Sequence, residues 1–257
     1  SIPAELRGYS PDQAIKLYSA IAQHNMTAKE KTVAHYNFAA GAAFFAAIAG
    51  AGNEKLGQMS LEIYSKGQEQ FPSNLILKFN AARALWTFDA KPEASLLFGK
   101  LARSNEGLDF NPKDGVLSHR IRHLSAMFCY GDYFHAALNE PSRARSIIQS
   151  CALTYLGVYA FETNQLNVAA DFLRKAIEIF SGNVVAYKWL TEVLDCLAAD
   201  PTDVLHAFYQ AIKLYPPNLC ELLSYGVEAE LSIGNQLKAS TLLNNWVLYH
   251  LRVREPS

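Results

Sequence analysis

The side chains with most chemistry to offer are seven histidines, four cysteines and a mid-chain group of cations. His119 and His123 stand four apart, so a helix would place both on one face, where they could chelate a metal. No carboxylate completes an HExxH pattern, and Arg120 and Arg122 between them repel a cation. A basic helix face is the expectation, with no metal site. Cys129, Asp132 and His135 can be written down as a nucleophile and its helpers. A nucleophile needs a positioned base, however, and closeness along the chain does not supply one. Lys100, Arg103, Lys113, Arg120, Arg122, Arg143 and Arg145 cluster without the aromatic interleaving that single-stranded nucleic acid requires. No nucleophile elbow, phosphate-binding loop or dinucleotide fingerprint is present. The chain reads as a non-enzyme with no catalytic residues and no cofactor.

Charge and composition narrow the classes further. Twenty-three Lys and Arg against 24 Asp and Glu leave a net charge of -1, which gives no general attraction to nucleic acid or an anionic membrane. Half of the 257 residues are apolar, enough for a continuous core. Cys129, Cys151, Cys196 and Cys220 form no CxxC pair and read as reduced, mostly buried thiols. A reducing, cytoplasmic location is the expectation. The first residues lack a signal-peptide pattern, and a start at Ser1 suggests a processed chain or an excised domain. The longest apolar run, Phe38 to Gly52, is short and rich in Ala and Gly, so a packed core helix is expected and no membrane insertion.

The elements that must position any site are helices. Turn signals divide the chain into amphipathic stretches of about 12 to 20 residues. Ser10-Pro11 opens the first, through about Gln23. Thr27 is expected to cap a second that runs toward Ile48, and a third ends before Phe71-Pro72-Ser73-Asn74. Further helices are expected over 75–88, 92–104, 114–129, 142–163, 166–180, 184–198, 202–215, 218–233 and 236–250, with Gly131 to Pro141 the least regular stretch.

Self-similarity is the informative signal. One helix carries Ala169, Phe172, Leu173, Ala176, Ile177 and Phe180, and another Val204, Ala207, Phe208, Ala211, Ile212 and Tyr215. An earlier one carries Ala94, Leu97, Phe98, Leu101 and Ala102. Each set draws one apolar stripe. Leu156-Gly157 and Tyr225-Gly226 stand 69 residues apart, and Phe71-Pro72-Ser73-Asn74, Phe180-Ser181-Gly182-Asn183 and Tyr215-Pro216-Pro217-Asn218 each stand where one helix must stop and another begin. In these residues the chain resembles the tetratricopeptide repeat (TPR) family, whose unit is about 34 residues long. Leu156, Gly157, Ala169, Leu173 and Ala176 match one copy; Tyr187, Leu190, Phe208, Ala211 and Pro216 match the next. Ala94 and Phe98 mark an earlier copy, Leu222 and Gly226 the last.

The resemblance implies an all-α solenoid of stacked antiparallel helix pairs in a right-handed superhelix. A single domain over 1–257 is expected, clearest at 54–108 and 150–250 and irregular at 109–149. It also implies a protein-interaction scaffold whose first helices line a concave groove. Carried onto this chain, groove positions are Phe79, Asn80, Arg83 and Trp86; Thr154, Tyr155, Val158 and Glu162; Lys188, Trp189, Glu192 and Asp195; then Leu223, Ser224, Val227 and Glu230. Glu162, Glu192, Asp195 and Glu230 would favour a basic partner segment, whereas Asn80, Arg83 and Trp86 could hold a carboxylate. Two other readings stand beside this one. One is the non-catalytic repeat region of a larger enzyme such as a glycosyltransferase. The other is a homo-oligomer assembled through the last helix, with Leu242, Leu243, Trp246, Val247, Tyr249 and Leu251.

Overall fold

The computed structural model describes residues 10–49, 54–103, 141–215 and 219–254. Every regular element among them is an α-helix: α1 Pro11–Met26, α2 Val33–Ala49, α3 Glu54–Gln70, α4 Leu75–Thr87, α5 Lys91–Arg103, α6 Pro141–Glu162, α7 Leu166–Ile179, α8 Val184–Cys196, α9 Pro201–Leu214, α10 Leu219–Ser232 and α11 Gln236–Arg254. None of the described helices is long and apolar enough to cross a membrane. The expected helix over 114–129, with His119, His123, Cys129, Asp132 and His135, lies outside the described residues. Of the stretch expected to be irregular, 141–149 is regular helix.

Helix starts follow from capping chemistry. Ser10 and Gln13 exchange side-chain and backbone bonds at the head of α1, with Pro11 at the first helical position. Asn74 and Asn183 each accept from an N–H three residues on, Leu77 at 3.0 Å and Ala186 at 3.1 Å, and so open α4 and α8 alike. Thr27 behaves otherwise than expected. It closes α1, its hydroxyl donating to the His24 carbonyl at 2.7 Å. Thr32, not Thr27, precedes α2, and its N–H donates to His35 Nδ1 at 3.1 Å. Lys29, Glu30 and Lys31 therefore sit in a connection.

The turn inside each pair is built the same way four times. Asp89, Asn164, Ala198 and Gly234 all take a left-handed backbone, with φ of 65°, 59°, 49° and 80°. In each, the next N–H reaches back five residues: Ala90 to Leu85, Gln165 to Ala160, Ala199 to Leu194 and Asn235 to Glu230, all at 2.8–3.0 Å. This is the Schellman closure, which satisfies carbonyls a helix end leaves bare. Between pairs, Phe180 and Tyr215, 35 residues apart, share a backbone as well, with φ/ψ of -146°/97° and -148°/94°. Repetition of backbone geometry where side chains differ is the mark of a repeat.

The described residues fall into two compact units. The first holds α1–α5 and α6 through Ala152; the second runs from Leu153 through α11. In the first, α2 is apolar on all sides and lies among α1, α3 and α4. Its Ala39, Ala40 and Phe44 pack with Ile63, Tyr64, Leu77 and Ala81. The run read as a core helix is one. In the second, α7 buries Ala169, Leu173 and Ala176, and α9 buries Val204, Phe208 and Ala211, the stripes expected from spacing. Gly157 lets α6 lie against α7, since a Cβ there would come within 2.7 Å of Leu173 Cγ.

Ala198 adopts a backbone that costs an L-residue roughly 1–2 kcal/mol, partly recovered because glycine is freer when unfolded. Ala198→Gly should therefore raise stability by about 0.5–1 kcal/mol in urea unfolding. A drop in midpoint would mean that the turn is not left-handed.

Candidate functional site

The expected groove residues separate into two groups. In the first unit they are packed rather than presented. Phe79, Asn80 and Arg83 are buried. Asn80 Nδ2 donates to Asn37 Oδ1 at 3.2 Å, which ties α4 to α2. The Arg83 guanidinium lies over the Phe79 ring, 5.8 Å from its centroid. Arg83 also acts on Tyr64, whose phenol is pushed well up by burial and drawn down by that charge. Trp86 packs edge-on against Phe98, with Lys91 Nζ 5.1 Å from its ring centroid. Of the three residues expected to hold a carboxylate or carbonyl, Asn80 and Arg83 are buried and Trp86 is half-buried.

In the second unit three first helices lie side by side. Asn183 Nδ2 donates to Thr154 Oγ1 at 2.9 Å, and Phe161 meets Trp189 with ring centroids 5.6 Å apart, joining α6 to α8. Lys188 Nζ donates to a Glu221 carboxylate oxygen, joining α8 to α10. Thr154, Tyr155 and Val158 are buried in these contacts. Glu162 and Ser224 are exposed, and Lys188, Trp189, Glu192, Asp195, Leu223 and Val227 are half-buried.

Glu230 departs from expectation. It is fully buried, accepts from the Tyr209 hydroxyl at 2.5 Å and from Asn235 Nδ2 at 2.8 Å, and cannot line a groove. The physical reason is the turn: Asn235 folds back onto the end of α10, and Tyr209 of α9 reaches across to the same carboxylate. Buried carboxylates are retained when each oxygen is bonded, as here.

Charge on the presented face is one-sided. Segments 153–162, 184–196 and 219–232 contain six carboxylates and a single cation, Lys188. With Glu230 buried and Lys188 engaged by Glu221, Glu162, Glu192, Asp195 and Glu228 set the sign. Burial raises the Glu192 carboxyl above its ordinary range, with Lys188 opposing. Burial also raises the half-buried Tyr225 phenol, and Glu192, Cys196, Asp195 and Glu228 push it the same way. Tyr225 was read from the sequence only as a repeat marker, and Glu228, Glu221 and Phe161 were not singled out. Each stands within a turn of an expected position, and the i, i+3, i+4 spacing from Glu221 and Ser224 was the signal available.

Nucleophilic chemistry finds little purchase on this face. Cys196 is exposed, but burial of its sulfur, then Asp195 and Glu192, raises its thiol, the opposite of an activated cysteine. Cys151 and Cys220 are also free thiols. Among the described residues no group of three or more His, Cys, Asp or Glu is placed to hold a metal. A cleft of about 270 Å³ between α7, α8 and α9 is lined by Arg174 and His206 as well as Glu178 and Asp203, so it has no dominant sign.

No family model matches the chain, and no curated protein does. Solved structures do match over nearly the whole length. MamA, in a crystal structure, is 12% identical with a TM-score of 0.51, over 96% of this chain and 98% of that one. MamA 41-end from Desulfovibrio magneticus RS-1 is 13% identical with a TM-score of 0.50, over 95% and 98%.

The buried carboxylate gives a test. Glu230→Gln keeps the volume but turns a donor toward Asn235, and should cost about 1–3 kcal/mol. It should also lower the Tyr209 phenol, which burial first and then the Glu230 bond and charge hold above the tyrosine norm. Since the folded-state value is raised, this contribution is present below the ordinary tyrosine pKa and lost as pH rises through the folded one. Ultraviolet titration that shows no downward move in the variant would contradict the contact.

At this identity the likeness bears on the fold alone: this chain is an all-α helical-repeat protein built of successive antiparallel helix pairs.

Proposed function

We propose that this chain is a non-catalytic, TPR-type scaffold that binds a basic segment of a partner protein on the first-helix face of its second unit. The observation that carries the reading is the set of half-buried or exposed carboxylates on α8 and α10, Glu192, Asp195 and Glu228, whose charges reach the half-buried Tyr225, with Trp189 of the Phe161–Trp189 pair on the same helix as Glu192. Carboxylates supply attraction and on-rate for Lys or Arg, and the rings supply flat surface for their aliphatic stems and for cation–π contact. The Lys188–Glu221 pair ties α8 to α10 within this face. Free thiols at Cys151, Cys196 and Cys220 agree with a reducing compartment such as the cytoplasm.

The experiment is isothermal titration of the full chain with a short Lys/Arg-rich peptide and with its Glu-substituted counterpart. Binding should be confined to the basic peptide and weaken as salt is raised. Reversing Glu192→Lys and Asp195→Lys together should lower affinity by roughly tenfold or more, about 1.4 kcal/mol. Because the Glu192 carboxyl is raised, affinity should begin to fall at a pH above the ordinary carboxylate range as Glu192 takes up a proton. Equal affinity for both peptides, or indifference to the double reversal, would remove this reading.

A further inference from the structure

Tyr187 lacks what a buried tyrosine ordinarily has. It is 8% exposed, yet its hydroxyl makes no hydrogen bond to any described residue. A tyrosine this deep in a fold usually finds a partner for that group. Burial raises its phenol above the tyrosine norm, so the hydroxyl keeps its proton and stays a donor at neutral pH. Among the described residues, the fully enclosed side-chain atom left without a partner is Asn37 Nδ2, in the first unit. The Tyr187 hydroxyl is therefore not sealed in. The open space that Tyr187 lines is the cleft of about 270 Å³ between α7, α8 and α9. All three helices belong to the second unit and each is followed by another helix, so the cleft is not an end of the array.

The floor of the cleft is apolar: Leu190 and Leu194 of α8 are buried, and Ile177 of α7 is half-buried. Its rim is exposed and charged, with Arg174 and Glu178 on α7 and Asp203 and His206 on α9. By count the rim is mixed, but its groups are not equally free. The Arg174 guanidinium has Asp171 at 3.8 Å. The Glu178 and Asp203 carboxylates, one on each wall, have no ion pair or hydrogen bond among the described residues. The volume falls below the roughly 300–1,000 Å³ that encloses a drug-sized ligand, so the cleft is sized for one side chain.

We propose that this cleft takes a single apolar side chain of a partner polypeptide, flanked by lysine or arginine. The anchor covers Leu190, Leu194 and Ile177, the Tyr187 hydroxyl donates to a carbonyl of the partner's backbone, and Glu178 and Asp203 receive the flanking cations. A peptide brings a carbonyl acceptor with every residue, so a lone donor beside an apolar floor meets one wherever the anchor seats. The rim stands on the second helices α7 and α9, separate from the acidic first-helix face.

Saturation-transfer NMR of the full chain with three capped peptides tests the proposal: Ac-Lys-Phe-Lys-NH2, Ac-Lys-Gly-Lys-NH2 and Ac-Glu-Phe-Glu-NH2. With one anchor, the first should bind with a dissociation constant of roughly 1 mM. The other two should bind weaker by about tenfold or more. Tyr187→Phe keeps the ring and removes only the donor, and should weaken the first peptide by about two- to tenfold. Glu178→Gln with Asp203→Asn alters only exposed side chains, and should weaken it by about tenfold. The Glu192→Lys/Asp195→Lys chain should keep the full difference between the Phe and Gly peptides, which separates a failure here from a failure of the acidic face. No preference for Phe over Gly, none for Lys over Glu flanks, indifference to either cleft variant, or tighter binding of free phenylalanine than of the capped peptide would each overturn the proposal.

Discussion

The apolar stripe of a helix here is wider than one neighbour can cover, and that constraint governs the rest. Leu173 fits against Gly157 of its own pair, whereas Phe208 fits against Gly226 of the pair that follows. α7 and α9 are thus each held from two sides, by a helix of their own pair and by one of the pair that follows. Small residues set how close the helices come; rings and Leu fill what remains. Chain direction is reversed between them by a turn whose hydrogen bonds repeat at Leu85, Ala160, Leu194 and Glu230, whatever the side chain at its left-handed position. Backbone bonding fixes the turn, and packing fixes the stack.

Once the stripes are turned inward, the polar residues of the first helices have two fates. Those on the flank toward a neighbouring first helix become internal ties, as Asn80 does to Asn37 and Thr154 to Asn183. Those on the outer flank stay half-wet, as Glu192 and Asp195 do. Burial on one side of a carboxylate and water on the other sharpen its field toward a cation while keeping it accessible. The same stacking that buries the apolar stripes therefore leaves these half-wet carboxylates on the outer flank. Glu230 marks the limit, a carboxylate turned fully inward and satisfied there by Tyr209 and Asn235.

How much of this was legible in the sequence depended on whether the cause was local. Helix starts at Pro11, Leu75 and Val184 could be read because Ser10, Asn74 and Asn183 act on N–H groups three residues away. The stripes of α7 and α9 could be read from spacing alone. Thr27 was misassigned because a hydroxyl can close a helix behind it as readily as open one ahead, and only the backbone decides. The site was harder. Glu230 sits in the same periodic series as Glu192, yet its partner Tyr209 comes from the preceding helix, 21 residues back. Arg83 likewise acts on Tyr64, an effect that depends on how α3 and α4 are brought together. Which flank of a first helix meets its neighbour is a tertiary fact, and residue type gives no sign of it.

The closest test of stacked, mutually dependent pairs is a double-mutant cycle at Gly157 and Leu173, read by chemical unfolding of the full chain. Gly157→Ala alone must force Leu173 aside and should cost about 1–3 kcal/mol. In a Leu173→Ala background the new methyl has room, so the same substitution should cost far less and show a coupling of about 1 kcal/mol or more. Strict additivity of the two changes would mean that α6 and α7 do not meet at this point, and the stacking account would fail with it.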